Sequence, residues 1–238
     1  MEVYGDGFLA KKLKKISLPK NLFIYAAGVS NSNLKSKKEY LREIKVFKTV
    51  FNKVDKKKTF IYISTLSVES KILSRDPYVK NKIKIERLLR KNSENYLIIR
   101  LPQLVGKNKN KNTLTNFIYE CFIHEKKFNI WKNSKRNLID IDDIIIILKK
   151  FLKKNKMNNR IINIFNHKSI ETIKLIKIFS YVLKKNVKVR LIKKNNKNIN
   201  LKIINKKTLL PKFYYTRIKK RDYIEKMILK YYSWKFQL

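Results

Sequence analysis

A single cysteine, Cys121, stands in a chain of 238 residues, so neither a disulfide framework nor a cysteine-based structural zinc site can be assembled. Acid is scarce as well: 17 Asp and Glu face 59 Lys and Arg, a net charge of +42. Glycine and proline number four each, and Ala10, Ala26 and Ala27 are the only alanines. No run of about 18 apolar residues occurs, so no segment reads as a membrane-spanning helix. The first residues, Met1-Glu2-Val3-Tyr4-Gly5-Asp6, lack the apolar stretch of a signal peptide, and the expected compartment is the cytoplasm. Enough apolar material is present to fold. A content of 44% hydrophobic and 12% aromatic residues excludes a disordered polycation. The length suits one domain or one and a half.

The charge supports two readings. Lysine-rich faces release phosphate counterions on binding, which points to nucleic acid or a membrane surface. Yet the favoured residues (Lys, Ile, Asn, Tyr, Phe) are those of A/T-rich codons, and the lysines are spread along the whole chain. Codon drift accounts for both features, and no specific nucleic-acid partner is expected. Non-specific binding to polyanions at low salt is expected under either reading.

Apolar runs at 22–26, 60–63 and 96–101 read as buried strands, with a stub at 3–4. Leu41, Ile44, Phe47 and Phe51 predict one helix face over 34–54. Ile83, Ile85, Leu88 and Leu89 predict another over 78–89, behind the start signal Pro77. Further on, helices are expected over 113–125, 169–184 and 221–231, and strands at 138–141 and 161–165. Asp142 is placed to cap a helix from 143. The Lys/Asn/Ile-rich stretch 193–207 has no assignment. Strands alternating with helices imply a parallel α/β sheet covered on both faces.

The chemistry-bearing residues cluster after strands. Gly5-Asp6-Gly7-Phe8-Leu9-Ala10 is a Gly-x-Gly-x-x-Ala turn between a strand stub and a helix, an arrangement that lets backbone N–H groups approach a pyrophosphate. Gly28 follows Ala26-Ala27 at the end of the next strand, and Gly106 follows the strand at 96–101. Tyr78 and Lys82 stand four residues apart on one helix face. There a cation favours the phenolate, as proton exchange with a carbinol requires. Tyr181/Lys185, Tyr215/Lys219 and Tyr231/Lys235 share the spacing. Only the first pair follows a strand ending in the hydroxyls Ser64 and Thr65.

From Gly5 to about Phe165 the chain resembles the extended short-chain dehydrogenase/reductases, in the sugar-nucleotide branch of the NAD-dependent epimerase/dehydratase family. Six motifs in order carry the resemblance: 5–10, Ala26-Ala27-Gly28, Tyr62-Ile63-Ser64-Thr65-Leu66-Ser67-Val68, Pro77-Tyr78…Lys82…Glu86, Arg100-Leu101-Pro102…Gly106, and Arg136-Asn137-Leu138-Ile139-Asp140-Ile141-Asp142-Asp143. The resemblance implies a Rossmann-like doubly wound parallel sheet over 1–106 and 137–166, and a small substrate-binding subdomain from 107–136 and 167–238. It implies catalysis by Thr65, Tyr78 and Lys82. NAD or NADP would be held by Gly5, Asp6, Gly7, Phe8, Leu9, Ala26, Ala27, Gly28, Lys82 and Pro102. Ser64, Thr65 and Arg136 would meet a nucleotide-sugar substrate, with Arg136 on its diphosphate. The implied enzyme is an epimerase or keto-sugar reductase, with surface-polysaccharide synthesis as one setting and a homodimer as one assembly.

Two departures qualify this. Only about 16 residues separate Ala10 from Ala27, where the family spends two more strands and a helix, and the residue that reads the adenosine ribose has no counterpart. A non-catalytic relative with a binding or scaffold role is the alternative. Thr65 is followed by Leu66-Ser67 in place of an Asp-Glu pair, which disfavours dehydration.

Other reactive residues read as structural. Cys121 shares a helical face with Leu114, Phe117, Ile118 and Phe122, which places it in the core, and no metal site is expected. His124 and His167 have no acid or nucleophile paired with them in sequence, and read as surface or loop residues. Asp140, Asp142 and Asp143 suit a helix start better than a magnesium site. The basic stretch 144–154 reads as a core-facing helix before a membrane-surface one. Trp131 and Trp234 carry no decisive signal.

Overall fold

The structure is a computed structural model that describes residues 1–28, 36–70, 73–154, 159–166, 168–193 and 222–233. The chain divides into two compact units. One holds Met1–Leu101 and Asp142–Ile164; the other holds Pro102–Ile141 and the described residues from Phe165 on.

The first unit is built on five parallel strands: β1 (Glu2–Tyr4), β2 (Leu22–Tyr25), β3 (Thr59–Thr65), β4 (Tyr96–Leu101) and β9 (Arg160–Asn163), adjacent in that order. Helices α1 (Phe8–Leu13), α2 (Lys37–Lys53), α3 (Pro77–Asn92) and α5 (Ile141–Lys154) cover it. Continuous burial along β2 and most of β3 and β4 is what a parallel sheet covered on both faces requires. Alternate residues serve alternate faces. Phe23, Tyr25, Phe60, Tyr62 and Ile98 meet Phe47 and Phe51 of α2 and Ile85 and Leu89 of α3 in one aromatic-rich cluster. The other row, Ile24, Ile61, Leu97 and Ile99, is as deeply buried. A hydrogen-bonded ion pair, Lys12 with Asp142 at 2.8 Å, joins α1 to α5.

Three expectations are corrected in detail. Leu41 is 54% exposed and Tyr40 takes its place against the interior, so the inward stripe of α2 is Tyr40, Glu43, Phe47 and Phe51. Helix α5 begins at Ile141, so Asp142 lies within its first turn and not ahead of it. Phe117 is exposed, packing edge-on against Phe128. Cys121 is buried, and α5 turns Ile144, Ile147, Leu148 and Phe151 inward, as expected.

Strand β1 is an edge: among the described residues no strand pairs with its outer side. This is the structural counterpart of the short interval between Ala10 and Ala27.

In the second unit, β5 (Gln103–Val105) pairs with β8 (Leu138–Asp140), apart from the central sheet. The units therefore part after Leu101 and before Asp142, inside the boundaries read from sequence. Two further ribbons, β6 (Phe128–Trp131) with β11 (Val189–Ile192) and β7 (Lys135–Arg136) with β10 (Ile170–Glu171), are each too short to show a pattern in sequence. Helices α4 (Leu114–Ile123), α6 (Thr172–Leu183) and α7 (Tyr223–Tyr232) pack around Phe122, Phe179, Met227, Ile228 and Tyr232.

Candidate active site

The carboxyl ends of β1 and β2 are closed by glycines with a steric reason to be there. Gly5 has φ +124°, and a Cβ on it would meet the Ala26 carbonyl oxygen at 2.6 Å. The two strand ends are thus in backbone contact, with the Ala26 N–H donating to the Tyr4 carbonyl at 2.9 Å. Gly28 also has φ +124°; a Cβ there would meet Glu43 Oε1 at 2.2 Å and Lys82 Nζ at 3.0 Å. Gly7 differs. Its φ is −69°, and a Cβ would find nothing within 4 Å, so its bareness opens onto free space at the start of α1. Phe8 is half-buried and Leu9 buried, while Asp6 is exposed beside Lys14, whose hydrogen bond and charge hold the carboxyl below its ordinary value. Ala26 and Ala27 are half-buried.

Helix α3 is started firmly. Asp76 Oδ1 accepts from the backbone N–H groups of Tyr78 and Val79 at 2.9 and 3.3 Å, and Pro77 supplies the preset φ of the first turn. Four-residue steps then place Tyr78, Lys82 and Glu86 along one side. The Lys82 ammonium lies 5.5 Å from the centre of the Tyr78 ring. It donates to Glu43 Oε1 of α2 at 2.7 Å, while Asn81 donates to Glu43 Oε2 at 2.8 Å. This pair is deep: Lys82 is 4% exposed and Glu43 5%. The fully buried Tyr62 hydroxyl has no hydrogen-bond partner among the described residues. Burial first, then the charge of Glu43, pushes its pKa well above the ordinary phenol range.

A second buried network closes β3 and β4. Ser64 Oγ donates to Glu86 Oε1 at 2.6 Å, and Arg100 Nε donates to the same oxygen at 3.0 Å. Arg100 also grips the other Glu86 oxygen and Glu69, and Glu69 accepts from Asn163 Nδ2 of β9 at 3.1 Å. Burial alone would lower the Arg100 pKa; the hydrogen bonds and charges of Glu86 and Glu69 outweigh it and hold the guanidinium above its ordinary value. Ser64, Arg100 and Asn163 share one sheet row, so parallel register aligns them. The Ser64 hydroxyl is thereby turned inward. Thr65, half-buried, accepts the Ser67 N–H at 3.2 Å at the head of a tight turn over Leu66–Glu69, which packs against α3.

Tyr78, Lys82 and Gly28 are therefore brought together around Glu43; the Thr65 hydroxyl makes no hydrogen bond to them. Glu43, Asn81 and Tyr62 carry this arrangement and were not singled out by sequence reasoning. Their one signal is a carboxylate, rare in this chain, interrupting an apolar helical stripe.

In the second unit Arg136 lies on β7, and its buried Nε has no hydrogen-bond partner among the described residues. Burial lowers its pKa. Pro102, half-buried, is the first residue past β4. Asp140 accepts from Lys230 at 2.8 Å and from the Tyr231 hydroxyl at 2.6 Å. Among the described residues no three His, Cys, Asp or Glu gather as metal ligands. Burial pushes the Cys121 thiol up, and His124 is exposed, 3.5 Å from Glu120. Tyr181 is 71% exposed, at the surface. His167, Trp234, the pair Tyr215/Lys219, Lys235 and nearly all of 193–207 lie outside the described residues. No described helix is long and apolar enough to cross a membrane.

No curated protein matches the sequence. Solved structures resemble it over most of its length. RMD from Pseudomonas aeruginosa, solved with NADPH, is 13% identical with a TM-score of 0.64, over 82% of this chain and 86% of that one. UDP-glucose 4-epimerase from Thermotoga maritima, solved with UDP-glucose, is 14% identical with a TM-score of 0.63, over 89% and 76%. UDP-glucuronic acid 4-epimerase from Bacillus cereus, solved with NAD, is 18% identical with a TM-score of 0.61, over 79% of this chain but only 65% of its own length. At these identities the likeness is one of fold, and it identifies the sheet as Rossmann-like. The sequence itself goes further, because the family model for NAD dependent epimerases and dehydratases matches residues 21–164, more than half of the chain. On that match, the chain belongs to the NAD dependent epimerase/dehydratase family.

Proposed function

We propose that this chain is an NAD(P)-dependent enzyme acting on a nucleotide sugar, as an epimerase or keto-sugar reductase, with Tyr78 as its acid/base. The observation that carries this is the meeting of Tyr78, Lys82 and Gly28 at the carboxyl end of β2, where open parallel sheets bind ligands. The residues fit a dinucleotide on two counts. Gly7 is bare toward open space, and Gly28, exposed just past β2, puts no side chain at that strand's end. Gly5, Asp6, Gly7, Phe8 and Leu9 would hold the pyrophosphate, and Ala26, Ala27, Gly28, Lys82 and Pro102 the nicotinamide half.

The bound cofactor would supply or accept the hydride. The chain's own groups do the rest. Thr65 donates its hydroxyl to the reacting substrate oxygen, and Tyr78 exchanges a proton with that oxygen. Lys82 stands beside the phenol, 5.5 Å from the ring centre, paired with Glu43. Arg136, whose Nε lacks a partner among the described residues, meets the nucleotide diphosphate. Tyr78→Phe should abolish turnover while NADH and NADPH binding, followed by fluorescence, stays within about twofold, because only the proton is removed. Retained turnover would eliminate this mechanism.

A second reading has its own support: among the described residues β1 is an outer strand, and the interval from Ala10 to Ala27 is short. A relative that keeps the fold as a scaffold would look the same. Saturable binding of NADH or NADPH at micromolar concentration argues for the enzyme, and its absence for the scaffold.

A further inference from the structure

We propose that Glu43 is a positioning residue that compensates the Lys82 charge beside the Tyr78 phenol, and so poises the site to reduce a carbonyl. This deepens the enzymatic reading and rests on it. The geometry is direct. Both Glu43 oxygens are occupied, one by Lys82 at 2.7 Å and one by Asn81 at 2.8 Å, and the carboxylate fills the space a side chain at position 28 would take. An ammonium 5.5 Å from the Tyr78 ring, acting alone, favours the phenolate. A carboxylate in contact with that ammonium, both shielded from water, removes most of the field that would do so.

The other titratable groups near Glu43 leave this balance intact. Tyr25 of β2 and Tyr62 of β3 are held above the ordinary phenol range, by burial first and then by Glu43, and stay neutral. Tyr40 on α2 is raised by burial, then by Asp76, Glu43 and Tyr78. Glu86 is committed to Arg100 and Ser64. Asp76 sits at the helix cap, bonded to backbone N–H groups. With the phenol protonated, Tyr78, Lys82 and Glu43 together are neutral.

A neutral phenol is a proton donor. In a reduction a bound reduced nicotinamide would supply the hydride to the carbonyl carbon and would leave oxidised, while the Tyr78 hydroxyl would give its proton to the carbonyl oxygen and regain one from water. An enzyme that begins by oxidising an alcohol needs the opposite resting state, a phenolate ready to accept. The substrate class this geometry selects is therefore the keto-sugar.

The test needs no substrate. Ultraviolet titration of phenolate absorbance, taken as the difference between each protein and its Tyr78→Phe counterpart, isolates the Tyr78 signal. In Glu43→Gln the midpoint should move down by about one pH unit or more, the range an opposite charge at this distance commands. Glu43→Asp, which draws the charge back by one methylene, should move it the same way by less, so the inference stays testable where the glutamine variant does not fold. In Glu43→Gln/Lys82→Met, with both charges gone, the midpoint should return toward that of the unaltered protein. An unmoved or raised midpoint in the single variants overturns the role of Glu43. Binding of NADH and NADPH by the unaltered protein is measured alongside: its absence, with the midpoint shift intact, removes the enzymatic reading and leaves the Glu43 coupling standing.

Discussion

Ser64 donates a 2.6 Å hydrogen bond to Glu86, two turns along α3 from Tyr78. It ties the end of β3, where Thr65 sits, to the helix that carries the phenol and the ammonium. The same carboxylate takes Arg100 through both oxygens, so one side chain fixes β3, β4 and α3 together. Glu86→Gln keeps the shape and removes the charge, leaving Arg100 buried with Glu69 as its remaining carboxylate. Breaking a buried pair from one side costs about 3–5 kcal/mol, and the urea midpoint should fall accordingly. A loss under about 1 kcal/mol, the scale of an exposed pair, would mean that Glu69 satisfies Arg100 unaided.

Gly5 and Gly7 make a controlled comparison two residues apart. Gly5→Ala forces a side chain into a φ of +124° and against the Ala26 carbonyl, so it should destabilise by about 1–3 kcal/mol or more. Gly7→Ala meets nothing within 4 Å, at a φ any residue accepts, so stability should hold within about 0.5 kcal/mol. What it fills is the approach to the turn. NADH and NADPH affinity should therefore drop about tenfold or more, the effect of about 1.4 kcal/mol of lost contact. Equal affinity for NADH and NADPH in the unaltered protein and Gly7→Ala would remove this turn from the cofactor site.

The central sheet was readable because its strands are apolar without interruption, which only burial on both faces tolerates. The runs at 22–26, 60–63 and 96–101 mark β2, β3 and β4 to within a few residues. That Tyr78 and Lys82 share one helix was readable because helical spacing and the Pro77 start are local. Strands β5, β6, β7, β10 and β11 were not, since two to four residues pair only because tertiary contacts bring them together. Glu43 was hidden for a related reason. Its partner Lys82 lies 39 residues away, and an acid inside an apolar stripe cannot disclose which cation compensates it. Tyr40 and Leu41 are large neighbours on α2; packing turns the tyrosine inward and leaves the more apolar leucine 54% exposed.

Arg136 should separate stability from binding. Its buried Nε lacks a hydrogen-bond partner among the described residues, and an unsatisfied buried donor costs folding free energy. Arg136→Met keeps an unbranched apolar stem and drops that burden, so the melting temperature should stay level or rise. Affinity for a nucleoside diphosphate, measured calorimetrically with UDP and dTDP, should fall about tenfold or more, because the charge-assisted hydrogen bonds proposed for Arg136 would be gone. Unchanged affinity for a diphosphate that the unaltered protein binds would release Arg136 from the substrate role.

Tyr232 predicts an alkaline weakness in the second unit. Its hydroxyl donates to Asn116 Oδ1 at 2.6 Å and lies 2.8 Å from Thr115 Oγ1. Burial pushes its pKa from 10.0 up to about 12. The folded state thus keeps a proton that the unfolded chain gives up sooner. Below pH 10 the phenol is protonated in both states and the contribution is complete; as pH climbs from 10 to about 12 it is lost, because only the unfolded chain ionises. The stability difference between the unaltered protein and Tyr232→Phe should shrink across that window by something on the order of 2 kcal/mol, read from urea unfolding at fixed pH steps. A difference that stays constant would show that the Tyr232 phenol ionises equally readily in the folded and unfolded states.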